Sequence, residues 1–174
     1  LHAKRWARLG FPVVREYQQE YFTRIGVVVD TDIALSREER LEASLSLAAG
    51  SVAFLSRGEA LIDLLVVGQE LHQLTLGRSL GFLDQALELL GTVEPGPTFD
   101  ADKLSRRLAP HLERLSCVVF VTLGWDASRQ EFVDRVVKAG VGCRVLEVTE
   151  EEDMDLGRNN GVDLTKISIN SIDD

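Results

Sequence analysis

The run Arg24-Ile25-Gly26-Val27-Val28-Val29-Asp30-Thr31-Asp32 constrains the fold of this chain more than any other stretch. Consecutive apolar, largely β-branched residues between polar flanks read as a strand buried on both faces. The strand ends in two carboxylates one residue apart. Just beyond, Ser36-Arg37-Glu38-Glu39 has capping-box spacing, a hydroxyl at the cap and a carboxylate three residues on. Leu41, Leu45, Ala48, Val52 and Leu55 then step by four and three along one face of a helix spanning about 37–57. Strand, acidic loop and helix in that order place a polar site, with Asp30 and Asp32 at its centre, in the crevice outside the carboxyl end of a sheet strand.

The rest of the chain repeats the alternation. Ala60–Val67 reads as a second strand and Leu71–Leu76 as a third, more polar one; the short connection between them predicts an antiparallel hairpin with 71–76 at an edge. A helix follows over about 80–90, and Glu94-Pro95-Gly96-Pro97 is a loop. Asp102–Leu115 reads as a helix that Pro110 should kink or split. Ser116–Leu123 is a fourth strand. Asp126 or Ser128 caps a helix running to about Ala139, stopped by Gly140, and Arg144–Val148 reads as the last strand. Residues 1–24 form a basic lead-in with a short edge strand over 11–17, residues 25–149 the domain, and residues 150–174 an acidic, polar tail. The expected fold is an α/β three-layer sandwich, Rossmann-like, with a mostly parallel central sheet and one antiparallel edge strand.

Composition narrows the function by exclusion. A formal charge of −9 over 174 residues disfavours both a general nucleic-acid surface and an anionic lipid surface. Cys117 and Cys143 open apolar runs and read as buried free thiols, suiting a reducing compartment. His2, His72 and His111 share no metal-ligand spacing, and glycine-rich phosphate loops are absent.

Asp30 and Asp32 admit two readings. Two carboxylates on one loop can share a hard divalent cation completed by waters. Alternatively, Asp30 bonds backbone N–H groups of its own loop and Asp32 faces solvent. Asp-x-Asp after an apolar run also resembles the first motif of haloacid-dehalogenase-like phosphatases, whose first Asp is a nucleophile and second a general acid. Ala34 stands where that family has Thr or Val, and a helix follows at once where it inserts a flap. Gly124-Trp125-Asp126, closing the fourth strand, brings Trp125 and Asp126 to the same crevice, either as contacts or as cover for the core.

The opening block supplies a family resemblance. Leu1-His2-Ala3-Lys4-Arg5-Trp6-Ala7-Arg8, then Pro12-Val13-Val14-Arg15-Glu16-Tyr17, then the strand to Asp30, resembles the family catalogued as domain of unknown function 58. Arg57-Gly58-Glu59 before Ile62-Asp63-Leu64-Leu65 is similar to that family's turn into its second strand. The resemblance implies a von Willebrand factor A-like domain, the C-terminal part of a membrane-anchored parent encoded beside a MoxR-type AAA+ ATPase. That fold binds metal through Asp-x-Ser-x-Ser, a later Thr and an Asp closing the fourth strand. Here Asp30 matches the first position, Asp32 and Ala34 replace the serines, Ser79 lies near the Thr position, and Leu123 replaces the last Asp.

The expectation is therefore a non-enzymatic protein-interaction domain with a degenerate metal-ion-dependent adhesion site, working on the cytoplasmic side of the cell membrane with a protein partner such as the MoxR-type ATPase. Its crevice comprises Asp30, Asp32, Ser79, Trp125 and Asp126. Mg²⁺ or Ca²⁺ at Asp30 and Asp32 would be weak or absent, and no other cofactor is implied. The alternative is a metal-dependent phosphohydrolase of the haloacid-dehalogenase-like type using Asp30 and Asp32.

Overall fold

A computed structural model describes residues 23–33, 38–58, 60–68, 71–76, 81–150, 156–159 and 162–168. Among these residues, seven strands form one sheet: β1 (Arg24–Asp30), β2 (Leu61–Val67), β3 (Leu71–Leu76), β4 (Cys117–Thr122), β5 (Gly142–Thr149), β6 (Leu156–Asn159) and β7 (Val162–Ser168). Their order is β3-β2-β1-β4-β5-β7-β6. The strands β2, β1, β4, β5 and β7 run parallel, and β3 pairs antiparallel with β2 at one edge, as the short connection between them implied. The opposite edge is also antiparallel, through β6 on β7.

Among the described residues, four helices cover the sheet: α1 (Glu38–Leu55), α2 (Phe82–Gly91), α3 (Ala101–Leu112) and α4 (Ala127–Lys138). Alternation along β1 explains the three layers. Val27 and Val29 face one side, packing with Leu41, Leu45, Ala48 and Val52 of α1 and Ala86 and Leu90 of α2. Val28 faces the other, packing with Leu104 and Leu108 of α3 and Phe132, Val133 and Val136 of α4. Each such aliphatic or aromatic side chain contributes about 1.5–3 kcal/mol when fully buried, so a strand apolar on both faces is held only where helices cover both.

Three expectations need correction. The segment from residue 150 onward is not simply a tail: β7 pairs with β5 from Arg144↔Asp163 to Thr149↔Ser168, and Val162 and Leu164 enter the second core cluster. The strand over 144–148 is consequently not the last. Pro110 does not split its helix: it sits in the last turn of α3, with only His111 and Leu112 beyond it in the helix. At the end of α4, Gly140 takes φ +82°, a left-handed conformation that costs a residue without Cβ little. The proposed strand over 11–17, the capping Ser36 and Ser79 lie outside the described residues. No described helix is long and apolar enough to cross a membrane.

Candidate functional site

The carboxyl ends of β1, β2 and β4 converge on one polar cluster. Register places Asp30 beside Val67 of β2, and β4 runs along its other side to Thr122. Asp30, Thr31 and Asp32 are all buried. Asp30 Oδ1 accepts the Asp32 N–H at 3.0 Å, so the first carboxylate does organise its own loop. Asp32 is not the solvent-facing residue of that reading, however. Its Oδ2 accepts the Phe99 N–H at 2.8 Å and so ties the strand end to the loop before α3. The loop is drawn further in by Gly96, whose N–H donates to the Thr31 carbonyl at 2.8 Å and whose position would put a Cβ only 2.1 Å from Thr31 Oγ1. Only glycine permits this approach.

Between the carboxylates sits Arg129, from the first turn of α4, with no exposed side-chain surface. Its Nε lies 2.8 Å from Asp30 Oδ2 and 3.0 Å from Thr122 Oγ1. Its terminal nitrogens reach Asp30 Oδ2 at 2.8 Å, Asp32 Oδ2 at 3.2 Å and Asp126 Oδ2 at 2.6 Å. The guanidinium carbon lies 4.9 Å from the centre of the Phe99 ring, a cation–π contact on its remaining side. Thr122 Oγ1 is 2.9 Å from both Asp30 Oδ2 and the Gly124 carbonyl, and its one proton serves one of them. Burial pushes the Asp30 carboxyl above its ordinary range, against the Arg129 guanidinium, the Asp32 N–H and the Thr122 hydroxyl, which favour the carboxylate. For Arg129, burial opposes the charge, but Asp30, Asp126 and Asp32 outweigh it and hold the guanidinium above its ordinary pKa.

Of the residues singled out from sequence, Asp30, Asp32 and Asp126 are brought together. Asp126 both caps α4, accepting the Arg129 N–H at 2.9 Å, and binds the Arg129 side chain. Trp125 packs, half-buried, against the second core cluster. Leu123 is fully buried in the first. The residue missed was Arg129, yet a signal existed: it lies three, four and seven positions before Phe132, Val133 and Val136, on the stripe of α4 that faces the core. Beside the cluster opens a cavity of about 120 Å³, lined by Asp30, Val67, Leu71, Phe99, Lys103 and Arg107 among others.

No protein-family model matches the chain, and no curated protein matches it in sequence. Solved structures do match. The manganese-loaded TRAP protein of Plasmodium vivax superposes with a TM-score of 0.59 at 15% identity, over 87% of this chain and 70% of that one. Proximal thread matrix protein 1 of the mussel byssus, with a zinc-occupied adhesion-site motif, gives 0.55 at 11%, over 87% of this chain and 45% of its own length. The VWA domain of SpRpn10 gives 0.51 at 10%, over 87% and 93%. The chain thus spans under half of the byssus protein. At these identities the likeness establishes the fold, which is that of von Willebrand factor A domains.

Proposed function

We propose that this chain is a non-enzymatic interaction domain whose partner-binding crevice works without a divalent metal. The observation that carries the reading is Arg129, buried between Asp30, Asp32 and Asp126. The fold implies a metal at this crevice, but the residues here do not fit one. The same carboxylate oxygens that would ligate a hard cation accept the guanidinium, while Asp30 Oδ1 and Asp32 Oδ2 also accept backbone N–H groups. Mg²⁺ requires near-ideal octahedral geometry and keeps several waters, and a fully buried guanidinium leaves room for neither. The adhesion site is in this sense degenerate: its cation is covalently part of the chain.

Hydrolytic chemistry finds no support. A phosphatase nucleophile at Asp30 would need an open oxygen and a free acid nearby, whereas Asp30 is enclosed. Only four residues separate Ile33 from α1, too few for a flap. The finer proposal, from the sequence resemblance, is that the parent protein is membrane-anchored and works on the cytoplasmic side with a MoxR-type AAA+ ATPase.

Capture of partners from extract on the immobilised chain, in excess EDTA and in Mg²⁺, tests the reading. The same partner should be retained to the same extent in both. Loss in EDTA, or no retained partner under either condition, would overturn it.

A further inference from the structure

The cavity beside Arg129 differs in character from the acidic cluster it adjoins. Val67, Leu71, Pro97, Phe99 and Leu104 supply apolar walls, and Asp30 contributes a floor whose Oδ2 is held by Arg129. The rim carries Lys103 and Arg107, both exposed and one turn apart on α3. Neither makes an ion pair with any described residue. Besides Asp30 on the floor, one lining acid stands near them, Asp100, whose Oδ1 accepts the Lys103 backbone N–H at 2.8 Å as the helix cap. On the rim the two cations outnumber the one acid, and the acid of the floor is engaged by Arg129, on a chain of formal charge −9.

Size limits the occupant. Sites for cofactors and drug-sized ligands run to roughly 300–1,000 Å³, whereas an apolar cavity of about 150 Å³ admits benzene. The 120 Å³ here suits one aliphatic side chain. The rim asks in addition for a carboxylate, which Lys and Arg bind through charge-assisted hydrogen bonds. Both groups must come within a few ångströms of each other. In an extended segment, successive side chains point to opposite faces, and those two apart are about 6.6 Å distant, so an internal acidic–aliphatic pair sets the two groups farther apart than a single residue does. A chain-terminal aliphatic residue can, because its side chain and its α-carboxylate leave the same Cα.

We infer that this cavity captures the free C-terminus of a partner protein ending in an aliphatic residue, the side chain in the pit and the carboxylate on Lys103 and Arg107. The inference rests on the interaction-domain reading and names the partner feature that reading leaves open.

Fluorescence anisotropy with labelled Gly-Ser-Gly-Ser-Gly-Leu tests it. The free-acid peptide should bind the intact chain, and its C-terminal amide about tenfold or more weaker, the loss expected for hydrogen bonds to a charged group. The free acid ending in Gly should weaken comparably. K103Q/R107Q, at two exposed positions, should abolish the difference between acid and amide while leaving the melting temperature unchanged. Equal binding of acid and amide, or equal binding of an amidated peptide carrying an internal Asp-Leu pair, would overturn the inference. So would no binding by any peptide. If metal-independent capture of a partner nevertheless persists, terminal recognition fails and the interaction domain stands; if capture fails too, both fall.

Discussion

Arg129 has no exposed side-chain surface and three carboxylates around it. Taking a guanidinium out of water is costly, and only well-placed counter-charges and hydrogen bonds offset the cost. Truncating it reverses the problem: Asp30 and Asp32, both buried, are left without their counter-ion. R129M should therefore destabilise the fold by about 3–5 kcal/mol, the usual cost of breaking a buried pair from one side. Urea denaturation reads this directly, and a loss below about 1 kcal/mol would show that the cluster is better solvated than its burial indicates. R129K should also be defective, because an ammonium cannot span Asp30, Asp32 and Asp126 with a planar fork. The two cysteines are quiet by comparison. Burial pushes the Cys143 thiol up to about 12, with Cys117 adding to it, so neither the metal-ligand nor the nucleophile form is favoured at neutral pH.

Secondary-structure elements are joined by polar contacts at both ends of the sheet. Opposite the Arg129 cluster, Arg24 of β1 makes a two-nitrogen contact with Asp63 of β2, and Thr75 of β3 donates to the same carboxylate. Three adjacent strands are thus tied at one acid. Burial works against the Asp63 charge, but Arg24 and Thr75 outweigh it and hold the carboxyl below its ordinary value. The sign follows from linkage. A carboxyl with a depressed folded-state pKa stabilises the fold above its unfolded value of about 3.9, and that contribution disappears as pH falls through the folded value. D63N should therefore be less stable than the parent chain at neutral pH, and the difference should shrink steadily below about pH 4. Thermal melts across that range measure it; a gap that is constant with pH would mean the tie is steric rather than ionic.

At the scale of the whole molecule, the two faces of the sheet are completed by different parts of the chain. The first face is closed by α1 and α2, the second by α3 and α4, while the strands after residue 150 extend the sheet beyond β5. Because β7 lies between β5 and β6, removing it would turn β5 into an open edge and expose the core around Val145, which packs in the same cluster as Val162 and Leu164. A chain ending at Glu150 should lose cooperative unfolding or associate through the β5 edge, as followed by calorimetry and light scattering. A monomer melting like the full chain would show that the terminal strands are an addition to a finished domain.

The order of elements, the parallel core and the antiparallel β3 edge were legible in the sequence because they follow from local pattern. Apolar runs bounded by turns made the buried strands, and a 3.6-residue stripe made α1. Asp30 and Asp32 were legible as members of a polar cluster because their place after a buried strand fixes them at the sheet's carboxyl end. The polar segment after residue 150 was not, since Asp163, Thr165, Lys166 and Ser168 dilute the apolar content of β7 and its pairing with β5 supplies the register. The guanidinium was not found either. A lone Arg on the inner stripe of a helix reads as a surface residue until the fold places three carboxylates within hydrogen-bond reach. Sequence determined β1 to β5 and where the acids at the strand ends would stand. Tertiary structure alone decided that those acids hold an arginine, because charge balance in a buried site depends on residues about a hundred positions apart, which no local pattern connects.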